Sequence, residues 1–222
     1  MSDVWLDDLV NVLRKARVQV VPMRYEAGRY AGKTWAQVGA ENRGYAQLRG
    51  VMWHHDASPF GDSGRATLDA NGFGTRPTGA LWWCMYDGFG WAPAAAIWVD
   101  RYGKWYVYAA GRTNHAGVGN STLTGMNMGN AYLLGIETDH NTGEEWPEAQ
   151  VSSLRRGTAA IMRHYKLDPT KALIGHKEYA PGRKNDPDGL DMNVERRRVA
   201  RLASTPQNRW RALLTKWFNR NR

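Results

Sequence analysis

The sequence predicts an α/β domain in which a mixed central β-sheet is flanked by helices, followed by a basic helical tail. Short apolar runs rich in strand-forming residues alternate with segments of helical period, which is typical of layered α/β domains rather than of sandwiches or bundles. The 222 residues can bury one substantial core but leave little room for two full domains. Hydrophobic residues make up 42% and charged residues 23%, so disordered and fibrous classes are excluded.

Residues 1–47 are predicted to form a helix and an irregular extension that pack on the core. Apolar residues recur at helical spacing between positions 3 and 15, and Asp3 is a candidate cap for this helix. Residues 18–50 are rich in Gly, Tyr and charge without a sustained period. This pattern indicates irregular structure containing a short extended piece.

The central domain, residues 48–192, contains the predicted strands and a long packing helix. The strands are apolar runs at 48–54, 95–99, 104–109, 132–137 and 172–175. The sequence at 100–103 predicts a hairpin between the second and the third run. Pro147 suits a first helical turn, and apolar residues then share one helical face up to about residue 166. A long loop is expected at 56–79, and such loops tend to border binding sites.

Residues 193–222 are predicted to form the basic tail, in two helical pieces. From Met192 onward there are eight Arg and one Lys against one Glu, so this segment carries +8 of the formal net charge of +9. Residues 193–203 favour a helix with Asp191 near its cap, and residues 208–219 favour a basic amphipathic helix. Such a helix either docks on an anionic surface or packs on its own domain, and the pattern leaves both open.

Charge and composition also argue against several classes of protein. The body outside the tail is nearly neutral, whereas nucleic-acid-binding proteins spread positive charge over a working face, so nucleic acid is not an expected partner. The sequence contains no run of 18 apolar residues, so it predicts no membrane-spanning helix. The acidic start lacks the features of a signal peptide, which predicts synthesis in the cytoplasm without one. The single cysteine, Cys84, excludes an intrachain disulfide and is expected to be buried and inert.

Two histidines end predicted buried strands, and a loop that carries an aspartate follows one of them. His54 ends the first strand of the central domain, and His176 ends the last. A Pro-Gly turn after His176 can bring Asp186 back beside it. A lone histidine at a strand end is more often structural, but two imidazoles and one carboxylate together suit a catalytic zinc site with one open position. Zinc with these ligands keeps a positive charge that activates water as a nucleophile.

Around these residues the chain resembles the type 2 N-acetylmuramoyl-L-alanine amidases, a zinc-dependent family that includes phage endolysins and peptidoglycan recognition proteins. The matching segments follow the family's order and are Trp53-His54-His55-Asp56-Ala57-Ser58, Asn114-His115-Ala116-Gly117, Gly135-Ile136-Glu137 and the loop from His176 to Asp186. The resemblance covers about residues 48–192, and this loop is its most diagnostic part. The style of sequence is most similar to endolysins of phages that infect actinobacteria. The resemblance implies a zinc amidase fold like that of the peptidoglycan recognition proteins.

The resemblance also assigns roles to individual residues. It implies the zinc ligands His54, His176 and Asp186, the catalytic residues Glu137 and Lys184, and the substrate-binding residues Asn114 and His115. Glu137 would act as general base and Lys184 would stabilise the oxyanion. Without a catalytic role, Glu137 would be a surface residue at the end of a strand and Lys184 a solvated loop lysine. Some phage members place a catalytic tyrosine where this chain has Ala95, which leaves more of the work to Glu137 and Lys184.

The implied activity is hydrolysis of the amide between N-acetylmuramic acid and L-alanine in peptidoglycan. A phage endolysin of this kind would be a monomer, made in the host cytoplasm, that acts on the cell wall after release. The basic tail would bind anionic wall polymers or lipid headgroups. Two alternatives stay open, namely a peptidoglycan-binding module without catalysis and, with less support, a metal-dependent nuclease.

Overall fold

The computed structural model describes residues 3–58 and 64–205, and a six-stranded mixed sheet forms its centre. In spatial order the strands are β1 (Val20–Pro22), β6 (Trp105–Val107), β5 (Ile97–Val99), β7 (Leu133–Thr138), β2 (Gly50–Trp53) and β8 (Leu173–Gly175). The β5 and β6 strands form the predicted antiparallel hairpin. All the remaining neighbouring pairs in this sheet are parallel. The predicted mixed sheet is therefore confirmed.

Three helices cover one face of this sheet, with the longest at the centre. They are α1 (Leu9–Lys15), α4 (Glu148–His164) and α7 (Met192–Ser204), and α4 contacts both of the others. The indoles of Trp53 and Trp105 donate to the hydroxyls of Thr158 and Ser153 on α4, each at 3.0 Å. Gly157 makes room for Trp105, because a Cβ there would lie 2.2 Å from the indole ring. These contacts hold α4 against one face of the sheet and thereby define which face points away from the helix.

The remaining elements are short. They are β3 (Thr67–Leu68), β4 (Gly74–Thr75), α2 (Gly79–Trp82), α3 (Gly129–Tyr132), α5 (Pro169–Ala172), α6 (His176–Tyr179), the 3₁₀ turns Gly28–Tyr30, Trp35–Gln37, Ala40–Asn42 and Gly88–Gly90, and a π turn at Trp83–Asp87. The π turn carries Cys84, which is fully buried as predicted. The β3 and β4 strands form a separate antiparallel pair.

The first helix begins later than the sequence predicts. Residues 3–8 precede it, and the backbones of Val4 and Tyr45 pair with N···O distances of 2.7 and 2.8 Å. Asp3 does not cap the helix; its carboxylate accepts a hydrogen bond from the backbone of Gly44 at 3.0 Å. Asp8 occupies the cap position but accepts from the Tyr165 hydroxyl instead. Tertiary pairing therefore overrides the local helical period at this end.

The helix predicted at residues 193–203 is α7, and it is part of the packed body. The Asp191 carboxylate caps it by accepting from the backbones of Asn193 and Val194. Glu195 is 2% exposed and forms a two-point ion pair with Arg155 on α4 at 2.6 and 2.8 Å. The amphipathic helix predicted at 208–219 lies outside the described residues. Within the described ranges, no helix has the length and apolar character needed to cross a bilayer.

Candidate metal centre

Adjacent parallel strands bring two histidines together on one face of the sheet. In the pairing of β2 with β8, Trp53 lies opposite Gly175, so the residues that follow, His54 and His176, leave the sheet side by side. Trp53 points toward α4 and side chains alternate along a strand, so His54 points to the opposite face. The His54 backbone donates to the carbonyl of Ile136 at 2.9 Å, which ties this end of β2 to β7.

A folded-back loop brings Asp186 to the same point. The backbone N–H of Lys177 donates to the Asp186 carbonyl at 2.7 Å, and the Lys177 ammonium donates to the carbonyls of Pro187 and Leu190 at 2.8 and 2.7 Å. The Asp188 backbone donates to the His55 ring at 3.2 Å, which fastens the loop from its other side. The loop therefore holds the Asp186 carboxylate against His176.

The three predicted ligands form a compact triangle. The Nδ1 atoms of His54 and His176 are 2.9 Å apart, and Oδ2 of Asp186 lies 3.1 Å from the first and 3.0 Å from the second. All three residues are buried. Ligand atoms about 2.0 Å from a tetrahedral zinc ion are separated from one another by roughly 3.3 Å. The triangle is therefore of the size that such an ion requires.

Hydrogen bonds on the far side of each ring determine which nitrogen carries the proton. Nε2 of His176 lies 2.9 Å from the carbonyl oxygen of Ala116 and must donate to it. Nε2 of His115 donates to the Leu133 carbonyl at 3.0 Å, so Nδ1 of the neutral His115 ring accepts from Nε2 of His54 at 2.9 Å. Both Nδ1 atoms of the triangle are then unprotonated, with lone pairs that point toward the carboxylate oxygen.

The charge state of the site fits a divalent cation. Burial, and then the adjacent His176, lowers the pKa of His54 to about 4, so the ring is neutral near pH 7. The pKa of Asp186 also lies well below its usual range, because its interactions with the adjacent His176 and His54 rings outweigh the effect of burial. Two neutral imidazoles and one carboxylate are donors that zinc prefers. Within the described ranges, this is the one group of His, Cys, Asp and Glu residues with metal-binding geometry.

Glu137 lies beside the triangle on β7. Its Oε1 atom is 3.9 Å from Nδ1 of His54, and its buried Oε2 atom has no hydrogen-bond partner within residues 3–58 and 64–205. Burial raises its pKa well above the usual range, the carboxylates of Asp186 and Asp56 raise it further, and Lys184 opposes them. This carboxyl group therefore favours the protonated form until a cation is added nearby.

Lys184 lies two residues before Asp186 on the exposed part of the loop. Its backbone donates to the Ala180 carbonyl at 3.0 Å, which fixes its position in the turn. The ammonium charge is close enough to lower the pKa of both His54 and Glu137. The loop thus places a positive charge beside the cluster and exposed to solvent.

His115 and Asn114 occupy positions that differ from their predicted substrate-binding role. His115 is 8% exposed and lies behind His54, with both ring nitrogens hydrogen-bonded within the protein. Gly135 makes this possible, because a Cβ there would lie 2.5 Å from the His115 ring. The Asn114 amide donates to the Trp91 carbonyl at 2.9 Å. In the structure the His115 ring is hydrogen-bonded to the His54 ring, and the Asn114 side chain is hydrogen-bonded to a neighbouring loop.

The sequence reasoning missed two residues that support the ligands from behind. The Asn130 side chain accepts from the backbones of His115 and Ala116 at 3.0 and 2.8 Å, which fixes the segment that contacts both ligand rings. The Arg183 guanidinium donates to the carbonyls of Ala116 and Val118 at 2.9 and 2.5 Å. Arg183 lies inside the His176–Asp186 motif, so its position was a usable signal; Asn130 lies in no motif. Ala95 is fully buried and provides no polar group to the site.

Comparison with known proteins supports the same assignment. The sequence profile of the family described as N-acetylmuramoyl-L-alanine amidase matches residues 44–189, more than half of the chain. The 1,6-anhydro-N-acetylmuramyl-L-alanine amidase AmpD of Haemophilus influenzae is 33% identical over 91 residues, which are 40% of this chain and 48% of that protein. The chain thus matches about half the length of this curated relative.

Solved structures share the fold. A selenomethionine derivative of AmpD aligns with a TM-score of 0.50 and 23% identity over 68% of this chain and 84% of its own. The catalytic domain of XlyA aligns with a TM-score of 0.51 and 17% identity, covering 82% of this chain and 99% of its own. The hydrolase AmiA of Staphylococcus aureus aligns with a TM-score of 0.51 and 13% identity, covering 88% of this chain and 90% of its own. Together with the profile match and the triangle of ligands, these similarities show that the chain belongs to the N-acetylmuramoyl-L-alanine amidase family.

Proposed function

We propose that the chain hydrolyses the amide between N-acetylmuramic acid and L-alanine of peptidoglycan, with one zinc ion held by His54, His176 and Asp186. The observation that carries the proposal is the convergence of three lone pairs beside a buried carboxyl group and a solvent-facing lysine. When bound, zinc would polarise the scissile carbonyl and lower the pKa of water in the site.

Glu137 is the proposed general base. A cation at the triangle would offset the negative charge of Asp186, which now raises the Glu137 pKa, and the ionised carboxylate would then accept a proton from the attacking water. The same group would return the proton to the departing amine. Because Oε2 has no partner in the protein, no internal hydrogen bond must break before the proton moves.

Lys184 is the proposed source of charge for the developing oxyanion. Its ammonium is exposed at the side of the cluster and is held near it by the backbone of the loop. As the carbonyl becomes tetrahedral, negative charge accumulates on its oxygen, and a fixed positive charge nearby stabilises that state more than the ground state. Ala95 provides no hydroxyl, so the proposed mechanism assigns no step to a tyrosine at that position.

The particular bond is inferred from the relatives. The curated relative is described as an amidase of a muramyl-L-alanine compound, and the family profile as an amidase of N-acetylmuramoyl-L-alanine. The site itself supports amide hydrolysis in general. A purified wall digest decides the matter, since the proposed reaction releases new L-alanine amino groups and free muramoyl carboxylates, in a ratio of one to one.

The digest also separates the alternatives. A peptidoglycan-binding module would sediment with walls yet release neither product, and the Glu137→Gln variant is the matched catalytic control. A nuclease would nick plasmid DNA, and that nicking would disappear in the Asp186→Ala variant. Wall hydrolysis that requires Glu137, with no nicking that depends on Asp186, supports the proposal.

A role as a phage endolysin is a further part of the proposal. The protein would be made in the host cytoplasm, reach the wall after release, and act there as a monomer. The motif resemblance favours walls of actinobacteria, so turbidity of permeabilised actinobacterial cells should fall faster than that of other hosts. Equal rates on all walls would remove the host assignment and leave the amidase activity unaffected.

The basic tail is proposed to increase wall binding through anionic polymers or lipid headgroups. Because α7 packs on α4, a truncation that tests this idea must end after Thr205 rather than after Asp191. The truncated chain should sediment less with walls at low salt, with a smaller difference at high salt. Unchanged sedimentation at low salt would contradict a role for residues 206–222.

A further inference from the structure

A cavity of about 350 Å³ lies where the β5–β6 hairpin turn meets the start of β1 and of α4, and it shares no residue with the metal centre. Three segments of the chain line it. Apart from Ser153, whose hydroxyl is hydrogen-bonded to Trp105 and Gly103, the polar lining residues are Arg17, Gln19, Tyr102, Glu148, Ser152 and Arg156. Gly103, with φ of +80°, allows the hairpin turn to approach α4, because a Cβ there would lie 2.6 Å from the Ala149 carbonyl. The cavity is therefore built by a close approach that only glycine permits.

The two guanidinium groups of this cavity have no anionic partner among the residues that the structure describes. Arg156 is half-buried, and its one side-chain hydrogen bond goes to the neutral Ser152 hydroxyl at 2.8 Å. Burial lowers its pKa, with no carboxylate acting against that shift. Among the described residues, neither Arg17 nor Arg156 forms an ion pair, whereas the preceding residue, Arg155, pairs with Glu195 through two contacts. A partly buried cation without a partner is costly unless a ligand supplies the negative charge.

The backbone at Arg17 is a second, independent observation. Arg17 follows the last turn of α1 with φ of +58°, and its N–H donates to the Arg14 carbonyl at 3.0 Å. Glycine is strongly preferred at this left-handed position after a helix, since a Cβ is strained there. This chain instead has an arginine whose side chain lines the cavity. Arg17 therefore reaches the cavity from a left-handed position at the end of α1.

We propose that this cavity binds a phosphodiester group of an anionic wall polymer, with Arg17 and Arg156 as the charged donors. Guanidinium groups match phosphate oxygens in geometry, and the first turn of α4, a helix of 17 residues, adds the positive end of its dipole. The exposed Glu148 carboxylate at the rim leaves a net charge of about +1, which matches the single negative charge of a phosphodiester. The hydroxyl and amide donors suit the polyol units on either side of the phosphate.

The choice of a wall polymer among phosphodiesters rests on the proposed function, whereas the anion site itself does not. A polymer held at this cavity would keep the enzyme on the wall between cleavage events without entering the metal centre. Amide hydrolysis of a small soluble muropeptide should then be independent of the cavity. Failure of that assay would count against the proposed function alone, and absence of polymer binding by the wild-type chain would count against the cavity alone.

The test uses the full chain and measures binding of poly(glycerol phosphate) by titration calorimetry at low salt. The test variants are Arg156→Gln and Arg17→Gly. The matched control is Arg76→Gly, because Arg76 is also exposed, also has a positive φ (+49°), loses the same charge and does not line the cavity. The wild type and Arg76→Gly should bind equally, and each cavity variant should bind about tenfold or more weakly. The melting temperature of Arg17→Gly should be equal to or above that of the wild type, which shows that the weakened binding is not unfolding.

Three results would overturn the proposal. The first is equal binding by all four proteins, and the second is an equal loss in Arg76→Gly, which would indicate bulk charge. The third is a cavity-dependent preference for vesicles of anionic lipid or for duplex DNA over the polymer, which would assign the site to another phosphodiester. The basic segment at 206–222 is the same in every protein compared, so its contribution cancels.

Discussion

The Nδ1 atoms of His54 and His176 lie 2.9 Å apart, and neither carries a hydrogen with which to bond the other. Two lone pairs at this distance repel, and the carboxylate of Asp186 adds a third acceptor at 3.0 and 3.1 Å. Buried acceptors without donors are costly, so a cation at their centre stabilises the folded chain as well as enabling the reaction.

Replacement of His115 by Ala should weaken zinc binding by about 10- to 100-fold, because His115 fixes the tautomer and the ring orientation of His54. Competition with a chelating dye measures the affinity directly. The result also separates the structural role from the predicted substrate-binding role. If zinc affinity is unchanged while KM for peptidoglycan rises, the sequence-based assignment of His115 is correct and the tautomer argument is wrong.

The Glu137→Gln variant should bind zinc normally but lose about 10²- to 10⁴-fold in kcat, because an amide cannot accept the proton of the attacking water. Turnover of a soluble muropeptide and metal content are the two measurements. Gln imitates the protonated carboxyl group that the metal-free site favours, so this variant should fold at least as well as the wild type. Retained turnover would show that another group acts as base.

Replacement of Lys184 by Met should lower kcat by on the order of 100-fold and leave the melting temperature unchanged, since the side chain is exposed. Arg at this position keeps the charge and should restore part of the rate. Steady-state kinetics of the three proteins test the assignment. An effect confined to KM in both variants would instead indicate a contact made equally in the ground state and the transition state.

His140 should make the fold sensitive to acid. Its ring is fully buried and stacks on Trp146 with centroids 3.8 Å apart, and neither ring nitrogen has a hydrogen-bond partner in the described part of the chain. Burial, and then the nearby His55, lowers its pKa from 6.5 to about 4. The unfolded chain therefore takes up this proton first as the pH falls, so stability that is complete above pH 6.5 is lost between pH 6.5 and about 4.

The His140→Phe variant keeps the stacked ring and removes the titration. Between pH 7 and pH 4.5 its free energy of unfolding should fall by on the order of 2 kcal/mol less than that of the wild type. Urea titrations of metal-free protein at the two pH values measure the difference. Identical losses in both proteins would mean that the imidazole accepts its proton inside the fold without penalty.

Much of the site could be predicted because ligands at strand ends have a local signature. His54 and His176 each follow an apolar run, and parallel strands place their carboxyl ends at the same side of a sheet. The Pro-Gly turn before Asp186 is likewise a local signal. The strands were also predictable from a local pattern, because short apolar runs in a layered domain usually form buried strands.

The remaining features depend on tertiary contacts that no local pattern encodes. The apolar residues at positions 3–8 have helical spacing, but Val4 pairs with Tyr45, forty-one positions later. This pairing keeps the segment from forming a helix. The family resemblance placed His115 in the substrate groove. Its burial depends on the absence of a side chain at Gly135, on a strand twenty positions later. The unpaired charge of Arg156 is visible only when its neighbours in space are known.

The most direct test of the central claim is the metal content of the purified chain and of its His176→Ala variant, measured by plasma mass spectrometry with circular dichroism as the control for folding. The account predicts about one zinc ion per wild-type chain and a loss of most of it in the variant, with the fold retained. A wild-type chain that folds and cleaves peptidoglycan without bound metal, or a variant that keeps its zinc, would contradict it.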